Sequence, residues 1–177
     1  MFDLEQFKID FKAINQDVTH FDFKLNNEYF TAVEAKNIQN GSLTIALNIY
    51  KMADSFKLTF NIHGSVVVTC DLCLDEMDQE INTSESLIVR LGEEYSDEDD
   101  LIIVPQNKSV LDVSWFIYEF IELNIPFKHV HAPGKCNPAM MKMLQEHSAN
   151  RSSNKDKGTS VDPHWAGLEK LKTIIKD

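Results

Sequence analysis

No window of the sequence approaches the roughly 18 to 20 apolar residues that a membrane-spanning helix needs. Motifs that announce common chemistry are missing as well: there is no glycine-rich phosphate loop, no nucleophile elbow and no His-Glu-x-x-His pair. Carboxylate pairs such as Asp75-Glu76 and Asp99-Asp100 stand in charge runs instead of apolar pockets, so nothing marks them for acid and base work. No internal repeat has the period of a solenoid or propeller. The opening residues, Met1-Phe2-Asp3-Leu4-Glu5, carry acids where a signal peptide would carry bases, and they lack the Arg- and Ser-rich character of a transit peptide. Together these absences make a soluble, cytoplasmic chain that is not an enzyme the expectation.

Cysteine is scarce. Its three copies are an odd number and cannot all pair, and a chain of 177 residues buries enough core to stand without disulfides. A metal site or free thiols is therefore expected, on one domain or one domain with a tail. Bases are also few, 17 Lys and Arg against 28 Asp and Glu, for a net charge of −11 that repels a phosphate backbone. The imbalance is local: residues 71–100 hold twelve acids and one base, whereas residues 128–176 hold nine bases and four acids. Such asymmetry suggests a basic protein partner, with Glu93, Glu94, Asp97, Glu98, Asp99 and Asp100 as candidate contacts. A solubilising face is the alternative.

What is present is mostly period-two alternation. Phe7, Ile9 and Phe11, then Phe21, Phe23 and Leu25, alternate with polar residues as half-buried strands do. Leu43 to Ile49 and Phe56 to Ile62 continue the pattern about a turn at Ala53-Asp54-Ser55, which predicts a hairpin. His63-Gly64 is expected to turn or bulge before the β-branched run Val66-Val67-Val68, and Leu87, Val89 and Leu91 suggest a further strand. The expected fold class is α+β, an antiparallel β barrel or sandwich with C-terminal helices.

Glu93 to Asp100 is expected to be a solvated loop, after which the period changes. Val113, Phe116, Ile117, Phe120 and Ile121 have helical spacing, with Asp112 as N-cap and Pro126 as stop. Asn137-Pro138 and Asp162-Pro163 each set a capping side chain before a proline, predicting helices over about 138–147 and 163–175. Trp165, Leu168, Leu171 and Ile175 share one face of the last. The expected organisation is a β-rich domain over 1–147, a flexible linker over 148–161 and a terminal helix over 162–177.

The sharpest local feature is Cys70-Asp71-Leu72-Cys73, a C-x-x-C at a strand end where a tight turn aims two thiolates at one point. About sixty residues later, His131-Ala132-Pro133-Gly134-Lys135-Cys136 offers an H-x4-C pair with a Pro-Gly turn inside it. Cys70, Cys73, His131 and Cys136 together suit tetrahedral zinc, and four protein ligands leave no open position, so the site would be structural. In small modules such a metal contributes as much as about 10 kcal/mol to folding. Buried free thiols are the second reading. Redox chemistry is the third, disfavoured because no βαβ setting or helix N-terminus surrounds the C-x-x-C. His129 is a rival ligand and His147 a more distant one, whereas His20, His63 and His164 read as surface or packed histidines.

The order of these features resembles the YceD family, whose members are called large ribosomal RNA subunit accumulation proteins. Val68-Thr69-Cys70-Asp71-Leu72-Cys73-Leu74 precedes an acidic stretch; Leu111-Asp112-Val113 opens a helix through Tyr118-Glu119-Phe120-Ile121-Glu122-Leu123 to Ile125-Pro126. His131, Cys136 and Asp162-Pro163-His164-Trp165 follow, so the resemblance spans about residues 40–175. It implies a role in accumulation of large-subunit rRNA without catalysis. The family's cysteine pattern falls on Cys70, Cys73 and Cys136, with His131 where some members have cysteine. His164 stands where many relatives have arginine. An acidic member is expected to escort a basic ribosomal protein or a large-subunit precursor, with direct RNA contact by the basic C-terminal region as the opposing option.

Overall fold

The computed structural model describes residues 3–38, 40–98 and 101–148. A short 3-10 turn (Leu4–Phe7) leads into β1 (Lys8–Asp10) and β2 (Val18–Leu25), and helix α1 (Asn27–Ala32) precedes β3 (Gly41–Lys51), β4 (Phe56–Thr69) and β5 (Glu76–Gly92). Then come β6 (Ser96–Glu98), β7 (Leu101–Pro105), β8 (Val110–Asp112), helix α2 (Ser114–Leu123) and helix α3 (Pro138–His147). The described chain up to Lys142 falls in one compact unit, and Met143 onward belongs to a second. The linker expected over 148–161, beyond Ser148, and the helix expected over 162–177 lie outside the described residues.

The long strands form because apolar side chains recur at every second position. Leu43, Ile45, Leu47 and Ile49 of β3 and Phe56, Leu58, Phe60 and Ile62 of β4 all face inward and are buried. Each contributes roughly 1.5–3 kcal/mol, and a slip of one residue would turn all of them to solvent. The register is fixed by the hairpin, where Met52 N–H donates to the Ser55 carbonyl at 2.8 Å. The six-stranded sheet has the order β2-β3-β4-β5-β7-β6, antiparallel throughout except for the parallel β5–β7 pair. A small ribbon, β1 with β8, pairs Ile9 with Leu111.

Ring contacts show what covers the sheet. Phe7 stacks on Phe23 at 4.7 Å, Phe11 meets Phe56 at 4.9 Å, and Phe120 of α2 meets Phe60 at 5.3 Å. The buried Tyr29 hydroxyl donates to the Ser114 carbonyl at 2.7 Å, joining α1 to the start of α2. Among the described residues β2 and β6 are edges, so the sheet does not close on itself. The α+β, mostly antiparallel reading stands, and the barrel is not formed.

Three local expectations are corrected. His63-Gly64 neither turns nor bulges, because β4 runs unbroken and its register with β3 keeps one offset from Gly41↔Val66 to Lys51↔Phe56. The charge run is not all loop, since Ser96–Glu98 pairs with Leu101–Ile103. Asp112 ends β8, and Val113 occupies the N-cap; Asp112 nonetheless supplies the capping oxygen, accepting from the Ser114 N–H at 2.9 Å and its hydroxyl at 2.6 Å. The helix over 138–147 forms as expected, with Asn137 Oδ1 accepting from the Ala139 N–H at 3.0 Å.

Candidate metal centre

Strand β4 ends at Thr69 because the chain folds back on itself at once. Cys70 N–H donates to the Asp75 carbonyl at 2.9 Å, and Leu74 N–H donates to the Cys70 carbonyl at 3.0 Å. Closing so tight a loop puts Leu74 at φ 62°, in the left-handed region. That conformation costs a branched residue about 1–2 kcal/mol, and the side chain is 64% exposed, so little packing offsets it. Leu74→Gly is therefore expected to stabilise the protein by roughly 1 kcal/mol in urea unfolding.

The second ligand pair sits on a loop with its own turn. Lys135 N–H donates to the Ala132 carbonyl at 3.0 Å, with Pro133 and Gly134 between them and Gly134 at φ 81°. Proline first and a left-handed glycine second is the signature of a type II turn. Two acids and an amide brace this loop against the C-x-x-C turn. Asp71 Oδ2 accepts from His129 N–H at 2.8 Å while Asp71 N–H donates to the His129 carbonyl at 3.0 Å, and Asn137 Nδ2 donates to Asp75 Oδ2 at 3.2 Å.

The result is convergence of the four side chains. One donor atom from each of Cys70, Cys73, His131 and Cys136 lies within 4.8 Å of all the others. Cys70 and Cys136 sulfurs are 3.9 Å apart, and Cys73 Sγ is 3.3 Å from His131 Nδ1. A tetrahedral zinc with Zn–S bonds of about 2.3 Å places two sulfurs about 3.8 Å apart. A disulfide needs about 2.05 Å, so all three cysteines are free thiols. Donor chemistry and spacing both fit a Cys3His zinc. Cys70 and Cys73 are buried; His131 and Cys136 are half-buried.

The electrostatics make the same point. Burial resists ionisation of Cys70, but amide N–H donors of Cys73, His131 and Leu72, with the Cys73 thiol, pull its pKa down to about 6. Burial pushes the Cys136 thiol up to about 11, with the neighbouring Cys70 and Cys73 sulfurs adding to the rise. Crowded sulfurs cannot all carry charge alone; a divalent cation at their centre removes the conflict.

His129, the rival ligand, is engaged elsewhere: its Nδ1 faces the Pro126 carbonyl at 3.0 Å and its Nε2 lies 3.7 Å from Asp71 Oδ1. His147 sits on α3, and His20 and His63 are exposed on strands. Glu119 accepts from Trp115 Nε1 at 2.8 Å, one helical turn away. Of the acidic candidates, Glu93 and Glu94 follow β5 and Asp97 and Glu98 lie on β6, whereas Asp99 and Asp100 lie outside the described residues. Among the described residues no helix is long and apolar enough to cross a membrane.

A mostly antiparallel sheet whose strand end shares a four-donor cluster with a distant loop defines a sheet protein with a closed candidate metal centre. The chain belongs to the YceD family: the family described as large ribosomal RNA subunit accumulation protein YceD matches residues 58–172, well over half of the chain, and takes in all four donors. That description ties the family to large-subunit rRNA accumulation and names no enzyme activity. No curated protein and no solved structure matches.

Proposed function

We propose that this protein is a non-catalytic accessory factor for large-subunit rRNA accumulation, working in the cytoplasm by escorting a basic protein client into the assembling particle. The family match over residues 58–172 carries the ribosomal part of this reading. Charge supports a protein client over naked RNA, because twelve acids against one base in residues 71–100 attract basic surfaces and repel phosphate. Glu93, Glu94, Asp97, Glu98, Asp99 and Asp100 belong to that stretch and would meet the client. Cys70, Cys73, His131 and Cys136 would hold a structural zinc whose only task is to keep the turn after β4 joined to the 131–136 loop.

Deleting the gene in its host tests the reading. The expected result is a fall in large-subunit rRNA relative to small-subunit rRNA, with the protein co-sedimenting with large-subunit precursors. An unchanged rRNA ratio and no co-sedimentation would overturn it and leave a zinc-bearing interaction module unrelated to ribosomes.

A further inference from the structure

Strand β5 is paired along most of its length on one side and along only its last five residues on the other. Its partner β4 covers Glu76 through Val89, whereas β7 begins at Ile88. The eleven residues Glu76–Ser86 therefore form an open edge inside the sheet, about 37 Å long at roughly 3.4 Å per residue. Among the described residues that backbone makes no hydrogen bond beyond β4, except that Gln79 Nε2 donates to the Glu80 carbonyl at 3.0 Å. An open row of N–H and C=O groups is a template for another strand.

The side chains along the edge say which strand. Glu76, Asp78 and Glu80 project from the exposed face at alternate positions, opposite the uncharged Thr69, Val67 and Ser65 of β4. No Lys, Arg or His occurs between Asp71 and Val89. Like charges on paired copies of this edge repel, which disfavours a second copy of the chain, and an RNA backbone is repelled too. The opposite edge of the sheet, β2, is shorter and mixes Lys24 and His20 with Asp22, so it offers no such field. Glu85 faces the other way, accepting from Thr83 and Asn124, and takes no part.

We infer that the Glu76–Ser86 edge binds an extended, lysine- and arginine-bearing polypeptide segment as an added β-strand, with Glu76, Asp78 and Glu80 reading its charge. Main-chain hydrogen bonds supply the affinity and the acidic row the selectivity. This deepens the proposed function by giving the basic client a mode of attachment, and it rests on that reading for its biological client only.

The test is hydrogen exchange on the full-length protein with a synthetic peptide of alternating lysine and valine. Protection gained at Glu76–Ser86 is expected, together with loss of binding by the fully N-methylated peptide, which keeps the charge but cannot donate. The triple variant Glu76→Gln, Asp78→Asn, Glu80→Gln is expected to bind roughly tenfold more weakly, as three exposed ion pairs warrant. Equal binding of the N-methylated peptide, no protection at this edge, or protection caused instead by an RNA oligonucleotide or self-association would overturn the inference. The rRNA ratio in the deletion strain is independent: either result can fail while the other holds.

Discussion

Gly64→Ala is expected to cost at least about 3 kcal/mol, combining left-handed strain with overpacking. Gly64 adopts φ 147°, and a Cβ there would lie 2.2 Å from the Ser42 carbonyl oxygen and 2.7 Å from Leu43 Cα. Both are backbone atoms of β3, so no rotamer change relieves the clash. Relief requires parting β3 from β4, whose inward side chains form the middle of the core. Urea unfolding of Gly64→Ala beside Ser65→Ala measures this: the neighbour is expected to change stability by less than about 0.5 kcal/mol. A loss under about 1 kcal/mol for Gly64→Ala would mean that the strands do not approach so closely.

The second large effect is expected on removing the proposed zinc. Chelation, or Cys136→Ser, would take the bridging ion from buried Cys70 and Cys73, and the segment 129–137 would then be held to the turn by the hydrogen bonds of His129 and Asn137 with Asp71 and Asp75. Stability should fall by several kcal/mol, though by less than the about 10 kcal/mol of modules that fold only with zinc, because the sheet has its own core. The loss should be uneven. Amide exchange is expected to rise across residues 129–137 and the 70–75 turn while the β3–β4 ladder stays protected. Uniform protection after chelation would show that the hydrogen bonds alone hold the loop.

The same contrast explains what was legible in the sequence. Strands β2, β3 and β4, with apolar residues at most inward positions, could be read directly, as could α2 from its spacing and α3 from its Asn137 cap. The first half of β5 could not, because its inward positions carry Met77, Gln79, Thr83 and Glu85, and only Ile81 is buried there. Helix α1 was missed for its six-residue length, although Asn26, which accepts from the Glu28 N–H at 3.0 Å, was a capping signal. Gly64 misled because glycine usually marks a break, whereas here it permits close approach within an unbroken strand.

At the candidate centre, the four side chains that converge, Cys70, Cys73, His131 and Cys136, could be singled out by residue type, since few side chains ligate zinc and their turn signals are local. The bracing by Asp71, Asp75 and Asn137 was not legible. Nothing in a sequence says that an acid in a charge run will accept from a main-chain N–H nearly sixty residues away. The reason His129 stands aside lies in the fold, because Asp71 engages it and His131 is left facing Cys73.

Elemental analysis of the purified full-length protein, beside Cys70→Ser and Cys136→Ser, tests the central claim most directly. One zinc per chain, lost in both variants, is the expected result, because each variant removes a donor from a different segment of one shared site. Absence of metal from the reduced wild-type protein, or zinc retained in either variant, would contradict it.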